Sequence, residues 1–195
     1  MSSLSGLGLN KNWTYETIIT CFNGDIPHAA PFGIKSPDLE TIQFEMYKGS
    51  NTLSVILDKR EFAVNFIDDP AYFFNSLYDE DQLSFMEAKN VKAPVITDCP
   101  AFIEAKMTGS KEKSQSYIVD AEIVNISVNS TSRLFNRAEG LVIESLIIST
   151  RIEYMTDGKA EEILKENHRI IKKVAPDSQH VDIMEKLLNK CLILR

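Results

Sequence analysis

Near its start the chain alternates: in TYETIITCF, Tyr15, Thr17, Ile19 and Cys21 fall on one side, and Glu16, Ile18, Thr20 and Phe22 on the other. That period of two is a strand's. Asn23-Gly24 tolerates positive φ and a second extended run starts at Ile26, so the spacing predicts a β-hairpin. TIQFEMY, FAVNFI, AFIEAKMTG and SYIVDAEIVNISV are further strand candidates. SNTLSVIL and PAYFFNSLY between them read as short helices, the second with Pro70 in its first turn. From about Phe135 the apolar spacing lengthens to that of helices. NRAEGLVIESLIISTRI is long enough to favour a helix over a buried strand, and Asp157-Gly158 breaks it. Leu164, His168, Ile171 and Val174 then mark one face of an amphipathic helix that Pro176 ends, and Val181, Met184, Leu188 and Cys191 mark a last one. The expectation is an α+β chain: a small β-barrel with short helices over residues 1–130, then a helical domain over 131–195.

Composition narrows the classes. The 195 residues are 44% hydrophobic and 25% charged, a globular balance with material for one core and a modest appendage. A net charge of -7 argues against general nucleic-acid binding. No apolar run has the length of a membrane span, and MSSLSGLGLNKNW lacks the basic start and apolar centre of a signal peptide, so a cytoplasmic protein without membrane contact is expected. Three separated cysteines, Cys21, Cys99 and Cys191, suggest neither a disulfide framework nor a CxxC pair.

Three segments carry candidate chemistry. FNGDIPHAAPFGI sits where a strand is due, yet Pro27 and Pro31 have no N–H for a ladder, which confines it to an edge, an end or a bulge. Ala29, Ala30 and Gly33 leave the main chain around Pro31 to Ile34 open to a planar ligand; a kinked edge strand is the plainer alternative. YKGSNTL offers Gly49 for a turn, Ser50 or Asn51 as a helix cap, free first-turn N–H groups, the charge of Lys48 and the hydroxyls of Ser50 and Thr52. These are parts of an anion site, and ordinary capping explains only some of them. Asn65, set among Phe62, Val64 and Phe66, needs a defined partner, which backbone or a ligand could equally supply.

Other patterns fall short. Gly6-x-Gly8 puts Lys11 where a dinucleotide fingerprint needs glycine, and no strand precedes it. His28, His168 and His180 lack partners at metal-ligand spacing, and His168 lies on an apolar helical face. His28 merits a test as a neighbour of the ligand. No nucleophile elbow occurs, and YDEDQ reads as solvated surface.

In order, YETIITCFNGDIPHAAPFGI, FEMYKGSNTL and FAVNFIDDP resemble the FMN-binding split β-barrel superfamily of flavin reductases and pyridoxamine-phosphate oxidases. With FNRAEGLVIESLIISTRI and the helical tail, nearly everything after Trp13 resembles more closely the largely archaeal DUF447 family, of unknown function. The resemblance implies a homodimer with FMN at the subunit interface. Ala30, Pro31, Phe32 and Gly33 would run beside the isoalloxazine, and Lys48, Gly49, Ser50, Asn51 and Thr52 would hold the phosphate. Asn65 would sit near the ring or ribityl chain, with Thr20 and Asn23 as weaker candidates at the hairpin. Asn136 and Arg137 would complete the pocket or the domain contact, as would Glu144 and Arg151, for which a buried ion pair of the arginines with Glu144 is the competing reading. Two functions are implied: an FMN-dependent oxidoreductase using a nicotinamide, a deazaflavin or another small-molecule reductant, or a flavin-binding carrier, sensor or assembly module without turnover.

Overall fold

The computed structural model describes residues 3–130, 133–152, 155 and 158–193. They fall into two compact units, one of residues up to 11 with 15–135, the other of 12–14 with the chain from Asn136 onward.

The first unit is a closed six-stranded barrel, β1-β2-β3-β8-β7-β4 in spatial order. Its strands are β1 (Tyr15–Asn23), β2 (Ile26–Lys35), β3 (Thr41–Tyr47), β4 (Glu61–Phe66), β7 (Ala101–Glu112) and β8 (Ser116–Val128). The TIQFEMY alternation is realised directly, with Ile42, Phe44 and Met46 buried inside the barrel. The hairpin between β1 and β2 differs by one residue from the sequence expectation. Asn23 pairs with Ile26, so the two-residue loop is Gly24-Asp25, and only Gly24 takes positive φ, at 66°. Glycine at the first central position suits the tight hairpin turns that match strand twist.

Two short helices cover the barrel. In α1 (Asn51–Lys59) Ser50 is the N-cap, its Oγ accepting from the Leu53 amide at 3.1 Å. In α2 (Pro70–Tyr78) Asp69 caps and Pro70 opens the first turn. A 3₁₀ turn, Glu80–Gln82, follows. Next comes a hairpin that sequence periodicity does not reveal, β5 (Phe85–Glu87) against β6 (Pro94–Ile96). Glu104, fully buried on β7, clamps the loop of this hairpin. Its carboxylate accepts from the Asn90 amide at 2.5 Å, the Val91 amide at 3.2 Å, and the side chains of Asn90 and Asn125 at 3.0 Å each.

The second unit is helical: α3 (Arg137–Ser149), α4 (Lys159–Val174) and α5 (Gln179–Ile193) bury Val142, Leu164, Ile171 and Met184 together. Asn167 donates to Ser145 at 3.0 Å across the α4–α3 contact. His168 lies half-sunk on α4, where burial and then the Lys172 charge lower its pKa; Glu185 opposes them. Gly158, at φ 73°, precedes α4, whereas Asp157 lies outside the described residues. Among the described residues no helix is long and apolar enough to cross a membrane.

Candidate functional site

Strand β2 pairs with β1 along its length, from Tyr15↔Ile34 to Asn23↔Ile26, but meets β3 only at Ile34↔Phe44 and Lys35↔Gln43. The barrel therefore parts between β2 and β3, and PHAAPFG forms one margin of the gap. The Ala29 amide bonds the Glu80 carboxylate rather than β1. By the alternation of an antiparallel ladder, residues 27, 29, 31 and 33 turn their main-chain groups toward the gap. Two of those four are proline, and this answers how a proline-rich run can be a strand: each ring sits where no ladder hydrogen bond to β1 is required. Ala30, Pro31, Phe32 and Gly33 are all half-buried, and the Phe32 carbonyl accepts from Thr17 Oγ1 at 2.9 Å.

The N-terminus of α1 lies at the same gap. The turn before it carries Gly49 at φ 85°. With Leu53 N–H given to Ser50, the amides of Asn51 and Thr52 remain as first-turn donors without intrahelical acceptors. Thr52 is buried, and its Oγ1 lies 3.0 Å from His28 Nε2. The other imidazole nitrogen, Nδ1, is 3.2 Å from Glu80 Oε1. A chain of side chains thus runs from the 3₁₀ turn through β2 to the first turn of α1, and the acidic run YDEDQ supplies one of its ends. Nothing in the local sequence around Glu80 signals this contact; only the fold brings it to β2.

Lys48 has its partners at the other side of the turn before α1. Its ammonium lies 2.5 Å from Glu112 and above the Tyr117 ring, 5.6 Å from the centroid, so its charge is directed to the end of the β7–β8 hairpin. Asn65 and Thr20 also have partners within the barrel. Asn65 donates to Ile18 O and to Thr20 Oγ1, both at 3.0 Å, and accepts from the Ile96 amide at 3.0 Å; Thr20 donates to Pro94 O at 2.5 Å. Both are fully buried, and their contacts describe the backbone-anchoring reading of Asn65.

Asn136 and Arg137 belong to the second unit. Asn136 caps α3 through the Ala138 amide, and its Nδ2 donates to Thr14 O at 2.8 Å and Val174 O at 2.9 Å. Arg137, Glu144 and Arg151 are all exposed, so any pairing among them lies at the surface and is not the buried one considered for them. Cys21, opposite His28 on β1, is fully buried; burial, followed by the Glu80 charge, pushes its thiol up to about 12. Among the described residues no cluster of three His, Cys, Asp or Glu could hold a metal.

Residues 15–130 match the family model of the DUF447 N-terminal domain and residues 136–189 that of the remaining DUF447 protein of unknown function. An uncharacterized protein of Methanocaldococcus jannaschii is 27% identical over 191 residues, covering 92% of this chain and 98% of its own. The crystal structure of an FMN-bound DUF447 protein from Methanosarcina mazei superposes with a TM-score of 0.58 at 22% identity, over 96% of this chain and 99% of that one. The 2-nitrobenzoate 2-nitroreductase of Pseudomonas fluorescens aligns with 63% of this chain and 68% of its own, with a TM-score of 0.53 at 21% identity. The barrel is the split β-barrel of flavin proteins, and the chain as a whole belongs to the DUF447 family.

Proposed function

We infer that the chain binds FMN in the gap between β2 and β3 and acts as a flavin-dependent oxidoreductase. The observation that carries this reading is the contact between His28 and Thr52. It brings the open margin of β2 and the first turn of α1 to one place, with Pro31 about 10 Å further along the strand. A flat ring against a small-residue main-chain margin and a phosphate at a helix N-terminus require that juxtaposition. The FMN-bound relative of the same fold supports the choice of ligand.

The residues present suit the group. The methyl group of Ala30 and the absence of a side chain at Gly33 leave the strand margin accessible. The amides of Asn51 and Thr52 and the hydroxyls of Ser50 and Thr52 supply donors for phosphate oxygens, with the dipole of α1 behind them. FMN, when bound, would supply hydride or electron transfer, leaving the protein to orient it and limit water access. Direct hydride transfer from a nicotinamide needs no acid or base from the chain.

A second copy would complete the site. Ile26, Tyr47, Phe74, Leu77 and Tyr78 are each more than half exposed, and they are the apolar surface such a copy would cover. A visible spectrum of the purified protein, with mass spectrometry of what heat releases, tests the ligand. Released FMN that NADH or NADPH bleaches, with recovery in air, supports the oxidoreductase. Tight FMN that no reductant bleaches leaves a carrier or sensor, and a colourless protein that takes up no added FMN overturns the flavin reading.

A further inference from the structure

We propose that His28, oriented by Glu80, makes the site selective for the phosphate of the flavin by taking up one proton when that phosphate binds. The inference rests on the FMN reading above and concerns the phosphate end alone. The Glu80 carboxylate, 3.2 Å from Nδ1, favours the neutral tautomer that carries its hydrogen on that nitrogen and leaves Nε2 as an acceptor. The Thr52 hydroxyl then has one use for its single hydrogen, which is to donate to Nε2 across 3.0 Å. In that state Thr52 turns only lone pairs toward an incoming phosphate, which repel it.

Protonation reverses the chain. With hydrogens on both nitrogens, His28 donates to Thr52 Oγ1, and the hydroxyl hydrogen is released to a phosphate oxygen. The imidazolium lies between the Glu80 carboxylate and the bound dianion, where it offsets charge from both. The proton comes from solvent, and the N–H bond it forms at Nε2 is the only bond made.

The surroundings leave this role to His28. On β1 the facing group is Cys21, whose buried thiol stays protonated. The first turn of α1 carries no acidic residue, α2 carries only the phenols Tyr72 and Tyr78, and the 3₁₀ turn contributes Glu80 flanked by Asp79 and Asp81. Lys48, the cation nearest in sequence to the α1 turn, is paired with Glu112.

The experiment is calorimetric titration of the full-length protein with FMN and with riboflavin at pH 8, in buffers of different ionisation enthalpy. Expected are close to one proton taken up per FMN and none per riboflavin. Above neutrality the FMN dissociation constant should rise by up to about tenfold per pH unit, while that of riboflavin stays level. His28→Gln should abolish the uptake and flatten the FMN profile with riboflavin affinity kept within about twofold, a readout that a purely structural histidine would not move. FMN binding without proton uptake in the unmodified protein overturns this inference and leaves the flavin reading intact. Failure of both flavins to bind overturns the two together.

Discussion

The side-chain amide of Asn65 lies 3.0 Å from the hydroxyl of Thr20, and both are fully buried where β1, β4 and β6 converge. Through Ile18 O, Pro94 O and the Ile96 amide this pair ties the short β5–β6 hairpin to the barrel wall. Asn65→Ala strands a buried donor and a buried acceptor. We expect it to cost about 2–3 kcal/mol, read as a lower urea midpoint with unchanged slope. Thr20→Val keeps the shape and should cost about 1 kcal/mol. Equal, negligible effects would show that the hairpin does not depend on this pair.

Glu104 gives the barrel an acid-sensitive point. Burial opposes its ionisation, but hydrogen bonds from Asn90, Asn125 and Val91 outweigh that and hold its pKa below the ordinary value of 4.5. A carboxylate of depressed pKa stabilises the fold above its unfolded value, and the contribution fades as pH falls through the folded one. Stability should therefore drop below about pH 4.5. Glu104→Gln should lower stability at neutral pH and blunt the acid-side loss, measured by urea titrations between pH 3 and 7.

At the phosphate end, the hydroxyl and the ammonium should separate. Thr52→Val removes a donor to a charged oxygen and should weaken FMN binding by roughly 10- to 100-fold. Lys48→Ala, which breaks the pairing with Glu112 at the hairpin end, should change it by less than about threefold. Fluorescence quenching titrations rank the two variants, and the reverse order would move the phosphate toward Lys48.

Cys21 and Cys99 should resist alkylation. Each is buried, and burial raises both thiols to about 12, so almost no thiolate exists at pH 8. Iodoacetamide followed by mass spectrometry should label both only in denaturant. Rapid labelling of Cys21 in the native protein would mean that the β1–β2 sheet opens readily.

Most of the barrel was legible because its long strands repeat a clear period. TIQFEMY and SYIVDAEIVNISV match β3 and β8 residue for residue, and Pro70 marked the start of α2. The β5–β6 hairpin is not legible because three-residue strands are too short to show alternation, and Pro94 at the start of β6 argues against a strand. Asn23-Gly24 misplaced the turn by one residue because a favourable dipeptide does not set register; the pairing of both flanking strands does. At the site, the open margin of β2 and the cap of α1 could be read from local residue chemistry. Lys48 and Glu80 could not, since each partner lies more than fifty residues away or on another element, and charge alone does not say which way a long side chain will turn.

The two prolines of β2 have an effect beyond the ligand. A strand margin that faces a gap is an invitation for a strand of another molecule to add on, because its main-chain groups lack a sheet neighbour. At Pro27 and Pro31 that margin offers carbonyls but no donor, so an intruding strand would find at most every other N–H of its ladder. The protein can keep its barrel parted without polymerising through the opening.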